Sequence, residues 1–149
     1  MKRVLVLLVI LLVAVSGHSA DTKDTSPDPD LQKLQGKWRL TYHSVAGVED
    51  TIGVVWELEV KDDKYTLTAD STKTTGTIKL DSSKKPKQLE YTAENDDDTM
   101  GTFIGIYEFD GETYRTCDVE KGKDDRPTEF KTKAKTGQVV VWKKVKVKD

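Results

Sequence analysis

Apolar residues recur at every second position over most of this chain. Trp38, Leu40 and Tyr42 alternate with Lys37, Arg39, Thr41 and His43, and Val54, Trp56, Leu58 and Val60 alternate with Val55, Glu57, Glu59 and Lys61. The same period runs through Tyr65, Leu67 and Ala69, through Gly76, Ile78 and Leu80, and through Leu89, Tyr91 and Ala93. Further segments follow at Met100 to Phe109, Glu112 to Val119 and Gln138 to Val147. Successive side chains of a strand point to opposite faces, so the pattern predicts eight half-buried strands. Asp62-Asp63 and Asp110-Gly111 supply tight hairpin turns. No helical period separates the strands, which argues against parallel βαβ units. A meander of eight such strands is best satisfied by closing into an antiparallel up-and-down β-barrel, because closure removes both free edges. A two-sheet sandwich fits the same spacing. Along 103–109 and 139–142 both faces are apolar, which leaves the inward face of those strands open and suggests an outward patch.

Just before the first strand the period is helical. Asp28-Pro29 reads as an N-cap followed by proline at the first helical position. Leu31 and Leu34 share one face, and Gly36 suits the left-handed residue that ends a helix. A short helix, a glycine and then Trp38 as the first inward residue would plug one end of a barrel.

This Gly36-Lys37-Trp38 at the start of the first strand resembles the lipocalin signature. In that superfamily the tryptophan packs against a basic side chain from the last strand, a part that Lys143 or Lys144 would take by cation–π contact. The order of Asp30-Leu31-Gln32-Lys33-Leu34-Gln35-Gly36-Lys37-Trp38, Lys84-Lys85-Pro86-Lys87, Gly105-Ile106-Tyr107-Glu108-Phe109-Asp110-Gly111 and Arg126-Pro127-Thr128-Glu129-Phe130 is similar to a lipocalin-like domain of unknown function expanded in planctomycete bacteria. The resemblance spans Asp30 to Lys146. It implies an exported calycin-type barrel, and it brings no catalytic residues and no named role.

The N-terminus reads differently. Met1-Lys2-Arg3 precedes an unbroken apolar run from Val4 to Val15, followed by small residues. That is the order of a secretory signal peptide, with cleavage after Ser16, Ser19 or Ala20. The run is too short for a spanning helix, which needs roughly 20 apolar residues. Residues 1–20 are therefore expected to be removed, 21–29 to form a flexible leader, and 30–149 to form the barrel domain, secreted or periplasmic, with no membrane span left. Loss of Lys2 and Arg3 makes the net charge of −2 more negative by two units, which argues against a nucleic-acid partner. The lysines at 143, 144, 146 and 148 read as guards on a final edge strand.

Candidate chemistry is sparse. Tyr42, Trp56, Tyr65, Tyr91 and Tyr107 fall on the inward stripe and are the candidate lining for a small, mainly apolar ligand. A barrel of this size is just wide enough either to be filled by side chains or to hold one such molecule. The alternative function is a solid barrel that acts through its outer surface on a protein partner, as an inhibitor or envelope scaffold. Arg126 could grip an anionic group at the mouth. Its structural role would be to pair with Glu129 beside Phe130, after a helical turn started by Pro127, and to tie down the last connection. The acidic run Glu94 to Asp98 lacks the ligand spacing of a calcium loop and reads as a solvated turn. Cys117 is the one cysteine, expected to be buried in a strand. His43 is predicted to point outward, beside Arg39 and Thr41. No nucleophile elbow, zinc-binding histidine pair or phosphate loop is present, so neither enzyme activity nor a metal or cofactor is expected.

Overall fold

The computed structural model describes residues 26–146 apart from 51, 52, 54, 96, 97, 134 and 135. The predicted signal peptide and most of the leader lie outside the described residues, as do Asp96 and Asp97 of the acidic run. Among the described residues, no helix is long and apolar enough to cross a membrane.

One short helix, α1 (Pro29–Leu34), leads into β1 (Gly36–Val45). The two-residue β2 (Val48–Glu49) folds back on the end of β1. Then come β3 (Trp56–Lys61), β4 (Lys64–Ala69), β5 (Thr72–Asp81), β6 (Gln88–Asn95), β7 (Asp98–Asp110), β8 (Thr113–Glu120) and β9 (Gln138–Lys144). From β3 onward each strand pairs antiparallel with the next, β1 pairs with β3, and β9 returns to pair with β1. The result is a closed, eight-stranded up-and-down antiparallel barrel, the architecture that the alternation predicts, and not the sandwich. Closure leaves β9 without a free edge, so its lysines do not guard one. Lys144 instead serves the helix, and Lys146 pairs with Glu112 at 3.4 Å.

The helix closes one end. Asp28 caps it by accepting from the Asp30 amide at 2.9 Å, and its second oxygen accepts from the Ser82 amide at 2.7 Å. Gly36 sits at φ +100°, a left-handed conformation that turns the chain from helix into strand. Trp38, 1% exposed, then lies under the helix, and its indole Nε1 donates to the Leu34 carbonyl at 2.8 Å. That carbonyl belongs to the helix's last turn and has no partner within the helix. The Lys144 ammonium lies 5.1 Å from the Trp38 ring centroid and donates to the Lys33 carbonyl. Lys144, rather than Lys143, takes the basic position over the tryptophan. Asp30 is buried on the same floor, where it accepts from Lys33 and Lys87 at 2.6 Å and from the Tyr107 hydroxyl at 3.0 Å.

Two apolar clusters hold the barrel. The inner one gathers Trp38, Leu40, Leu58, Val60, Tyr65, Ile78, Leu89, Tyr107, Tyr114, Val140 and Trp142, with Leu34 from the helix. The outer one joins Ile106, Cys117 and Val139 across β7, β8 and β9, with Phe130 packed over them. This resolves the strands with two apolar faces. Tyr107, Val140 and Trp142 point inward, while Ile106 and Val139 point outward and are covered by Phe130 from the connection between β8 and β9. Cys117 is buried there, its Sγ 3.6 Å from the Lys131 carbonyl.

The covering segment fixes itself by Arg126, whose Nη1 donates to the Leu89 carbonyl at 2.5 Å and the Gly105 carbonyl at 2.6 Å. The expected Arg126–Glu129 pair does not form. Glu129 pairs with Lys131 at 3.6 Å, Pro127 starts no helical turn, and the Arg115 guanidinium lies 4.1 Å from the Phe130 ring centroid.

Candidate functional site

The barrel is hollow above its floor. A cavity of about 400 Å³ runs between Leu58, Ile78 and Leu89 in its depth and Val45, Glu120 and Gly137 at the end opposite α1. That size lies within the range of small-molecule sites. Six aromatic side chains stand in its wall: Trp56 and Tyr65 from β3 and β4, Tyr91 and Phe103 from β6 and β7, Tyr114 and Trp142 from β8 and β9. Tyr91 stacks on Phe103 with centroids 5.0 Å apart, and Tyr65 meets Tyr91 edge-on at 6.0 Å. A second depression of about 520 Å³ lies between α1 and the β3–β4 hairpin, lined by Asp28, Gln32, Asp62 and Lys79 among others. Half of its lining residues are exposed and it lies outside the barrel, which makes it the lesser candidate.

Three of the five predicted lining residues, Trp56, Tyr65 and Tyr91, border the cavity. Tyr42 does not. It is 37% exposed on the outer face, because the β1–β9 register shifts between Leu40 and Tyr42. A bulge there adds one residue to β1, so the inward series passes from Trp38 and Leu40 to His43 and Val45. The same shift turns His43 inward, against its predicted outward position. His43 is buried, with its ring 5.1 Å from that of Trp56 and its Nε2 3.1 Å from Gln138 Oε1. Tyr107 points inward but belongs to the floor, where it packs on Phe109 and Tyr114 and binds Asp30. Arg126 makes no anion contact at the mouth, since it lies on the outer side and binds two strand carbonyls.

The polar centre of the cavity is Asp118, which the alternation alone does not single out. It is 1% exposed, and its Oδ1 accepts from the Tyr91 hydroxyl at 2.8 Å and Gln138 Nε2 at 2.9 Å. The Thr116 hydroxyl lies 3.3 Å from Oδ2. Gly105 faces Asp118 across β7 and β8, and a Cβ there would come within 2.6 Å of the Asp118 Cβ. The glycine lets β7 and β8 approach closely at this point. Burial pushes the Asp118 carboxyl up to about 6, against the pull of its Gln138, Tyr91 and Thr116 hydrogen bonds and of nearby His43. In turn burial, and then Asp118's charge, raise the Tyr91 hydroxyl well above its ordinary value. The Tyr114 hydroxyl is buried with no hydrogen-bond partner and feels the charge of Asp118.

Among the described residues no group of three or more His, Cys, Asp or Glu side chains is arranged to hold a metal ion. Compared with protein-family models, with curated proteins and with solved structures, the chain matches none.

Proposed function

We propose that this chain is an exported, lipocalin-like carrier that encloses one small, mainly apolar molecule. The observation that carries the reading is the aromatic-walled cavity of about 400 Å³ inside the closed barrel. Empty apolar volume forfeits packing contacts, so a fold that keeps so much of it in its centre gains when a ligand fills it. Export rests on the basic start, apolar run and small residues of positions 1–20. The likeness to the planctomycete lipocalin-like domain is part of the same proposal, as is an envelope or extracellular location.

Binding, not catalysis, is the role proposed. Asp118 Oδ1 accepts from Tyr91 and Gln138 while Oδ2 receives only the Thr116 hydroxyl at 3.3 Å, an arrangement that holds the charge in place and leaves an oxygen for a ligand's donor. The outer-surface alternative has less to rest on, since Ile106, Cys117 and Val139 on the second apolar face are covered by Phe130 of the same chain.

Native mass spectrometry of the protein recovered from its own cells tests the carrier reading. A single defined extra mass that disappears on denaturation is the expected result, weakened by Trp56→Ala. The folded protein at its bare mass, with Trp56→Ala indistinguishable from it, would count against a carried ligand.

A further inference from the structure

Among the described residues two carboxylates, Asp30 and Asp118, are fully buried, and they are treated in opposite ways. Asp30 on the floor meets two lysines, Lys33 and Lys87, each at 2.6 Å. Asp118 in the cavity meets only neutral partners, the hydroxyls of Tyr91 and Thr116 and the amide of Gln138. A buried carboxylate is ordinarily compensated by a cation, because neutral donors replace only part of its lost hydration. The charged residues of the lining, Asp118 and Glu120, are both acids, and neither lysine nor arginine borders the cavity among the described residues. Glu120 already pairs with Lys123 at the surface, and His43, whose charge Asp118 feels, makes no hydrogen bond to it and turns its Nδ1 to Asp50 at 3.4 Å, which leaves Asp118 without a paired cation.

The surroundings fit a cation. Aromatic faces attract positive charge through their quadrupoles, most strongly in a desolvated site. Tyr91, Phe103, Trp56 and Trp142 supply such faces around Asp118. A primary ammonium carries three N–H donors and no acceptor. The Asp118 carboxylate offers it an acceptor, and the buried Tyr114 hydroxyl, without a partner of its own, offers a second.

We infer that the ligand of this barrel is an apolar amine, bound as its ammonium ion against Asp118 and Tyr114 with its hydrocarbon or aromatic body along the cavity wall. This rests on the carrier reading and specifies its substrate class. It excludes fatty acids and other anions, which would set a second negative charge beside Asp118.

Calorimetric titration with three probes of one shape separates this inference from the reading beneath it: 2-(2-naphthyl)ethylamine, 2-(2-naphthyl)ethanol and 2-naphthylacetate. The protein is expected to bind the amine about tenfold or more tighter than the alcohol, and the carboxylate least. Asp118→Asn, which keeps the side chain's size, is expected to abolish the preference for the amine while still binding the alcohol. If the wild type binds the alcohol as tightly as the amine, the amine inference falls and the carrier stands. If none of the three binds, both fall. The wild-type ranking decides the matter even where the variant fails to fold.

Discussion

Asp30 and Asp118 give the barrel two titrations of opposite sign. Burial alone would raise the Asp30 carboxyl, but the hydrogen bonds from Lys33, Lys87 and Tyr107 outweigh it and hold the group below the usual carboxylate range. Its stabilising contribution is therefore complete above about pH 4 and is lost as pH falls through the depressed folded value. Asp118 works the other way. With a folded value of about 6 against 3.8 for an unburied carboxyl, its ionisation costs stability. That cost is complete above pH 6 and disappears as pH falls towards 4, because there the folded state binds the proton more readily. Asp118→Asn should thus stabilise the ligand-free protein at pH 7.5, by on the order of 3 kcal/mol, and change little near pH 4. Asp30→Asn should destabilise it at pH 7.5 by about 2 kcal/mol. Denaturant unfolding of each variant at both pH values checks these signs. A less stable Asp118→Asn protein at pH 7.5 would contradict the assignment of Asp118 as a charge without a paired cation.

At the scale of elements, the strands and most turns were legible because each strand has one wet and one dry face. Legibility ended where a second layer covers the outside. Along β8 the residues Tyr114, Thr116 and Asp118 border the cavity, while Cys117 between the last two packs outward against Ile106 and Val139, so the polar side chains of this stretch face in and the less polar one faces out. Hydrophobic alternation therefore points the wrong way there, and the polar centre of the cavity went unmarked. The bulge in β1 was equally silent, since Leu40-Thr41-Tyr42 carries no glycine or proline to signal an extra residue. The Gly-X-Trp motif, by contrast, read through to its structure: glycine turn, tryptophan floor and lysine above it.

The covering segment also makes a prediction at this scale. Burial, with Asp118's charge adding to it, pushes the Cys117 thiol up to about 11, so at pH 7.5 it should react with a disulfide reagent only through local opening. Arg126→Ala removes both anchors to the β6 and β7 carbonyls. It should speed that reaction by about tenfold while the barrel's strand signal in circular dichroism is kept. Unchanged reactivity would mean that Arg126 does not hold the segment down.

For the whole molecule, closure and plugging divide the labour. The helix, Trp38, Tyr107 and the Asp30 cluster fill one end, and the interior above them is left open towards Val45 and Gly137. Val45 is 47% exposed while also bordering the cavity, and Val48, on the adjoining β2, is 71% exposed and does not border it. These two valines allow the hollow interior to be tested with one probe. Titration with the neutral fluorophore N-phenyl-1-naphthylamine should show saturable, one-to-one binding to the wild-type protein. Val45→Trp, which crowds the entrance, should weaken it by about tenfold, and Val48→Trp should leave it unchanged. No saturable binding to the wild type, or the same response from both variants, would contradict a ligand site within the barrel.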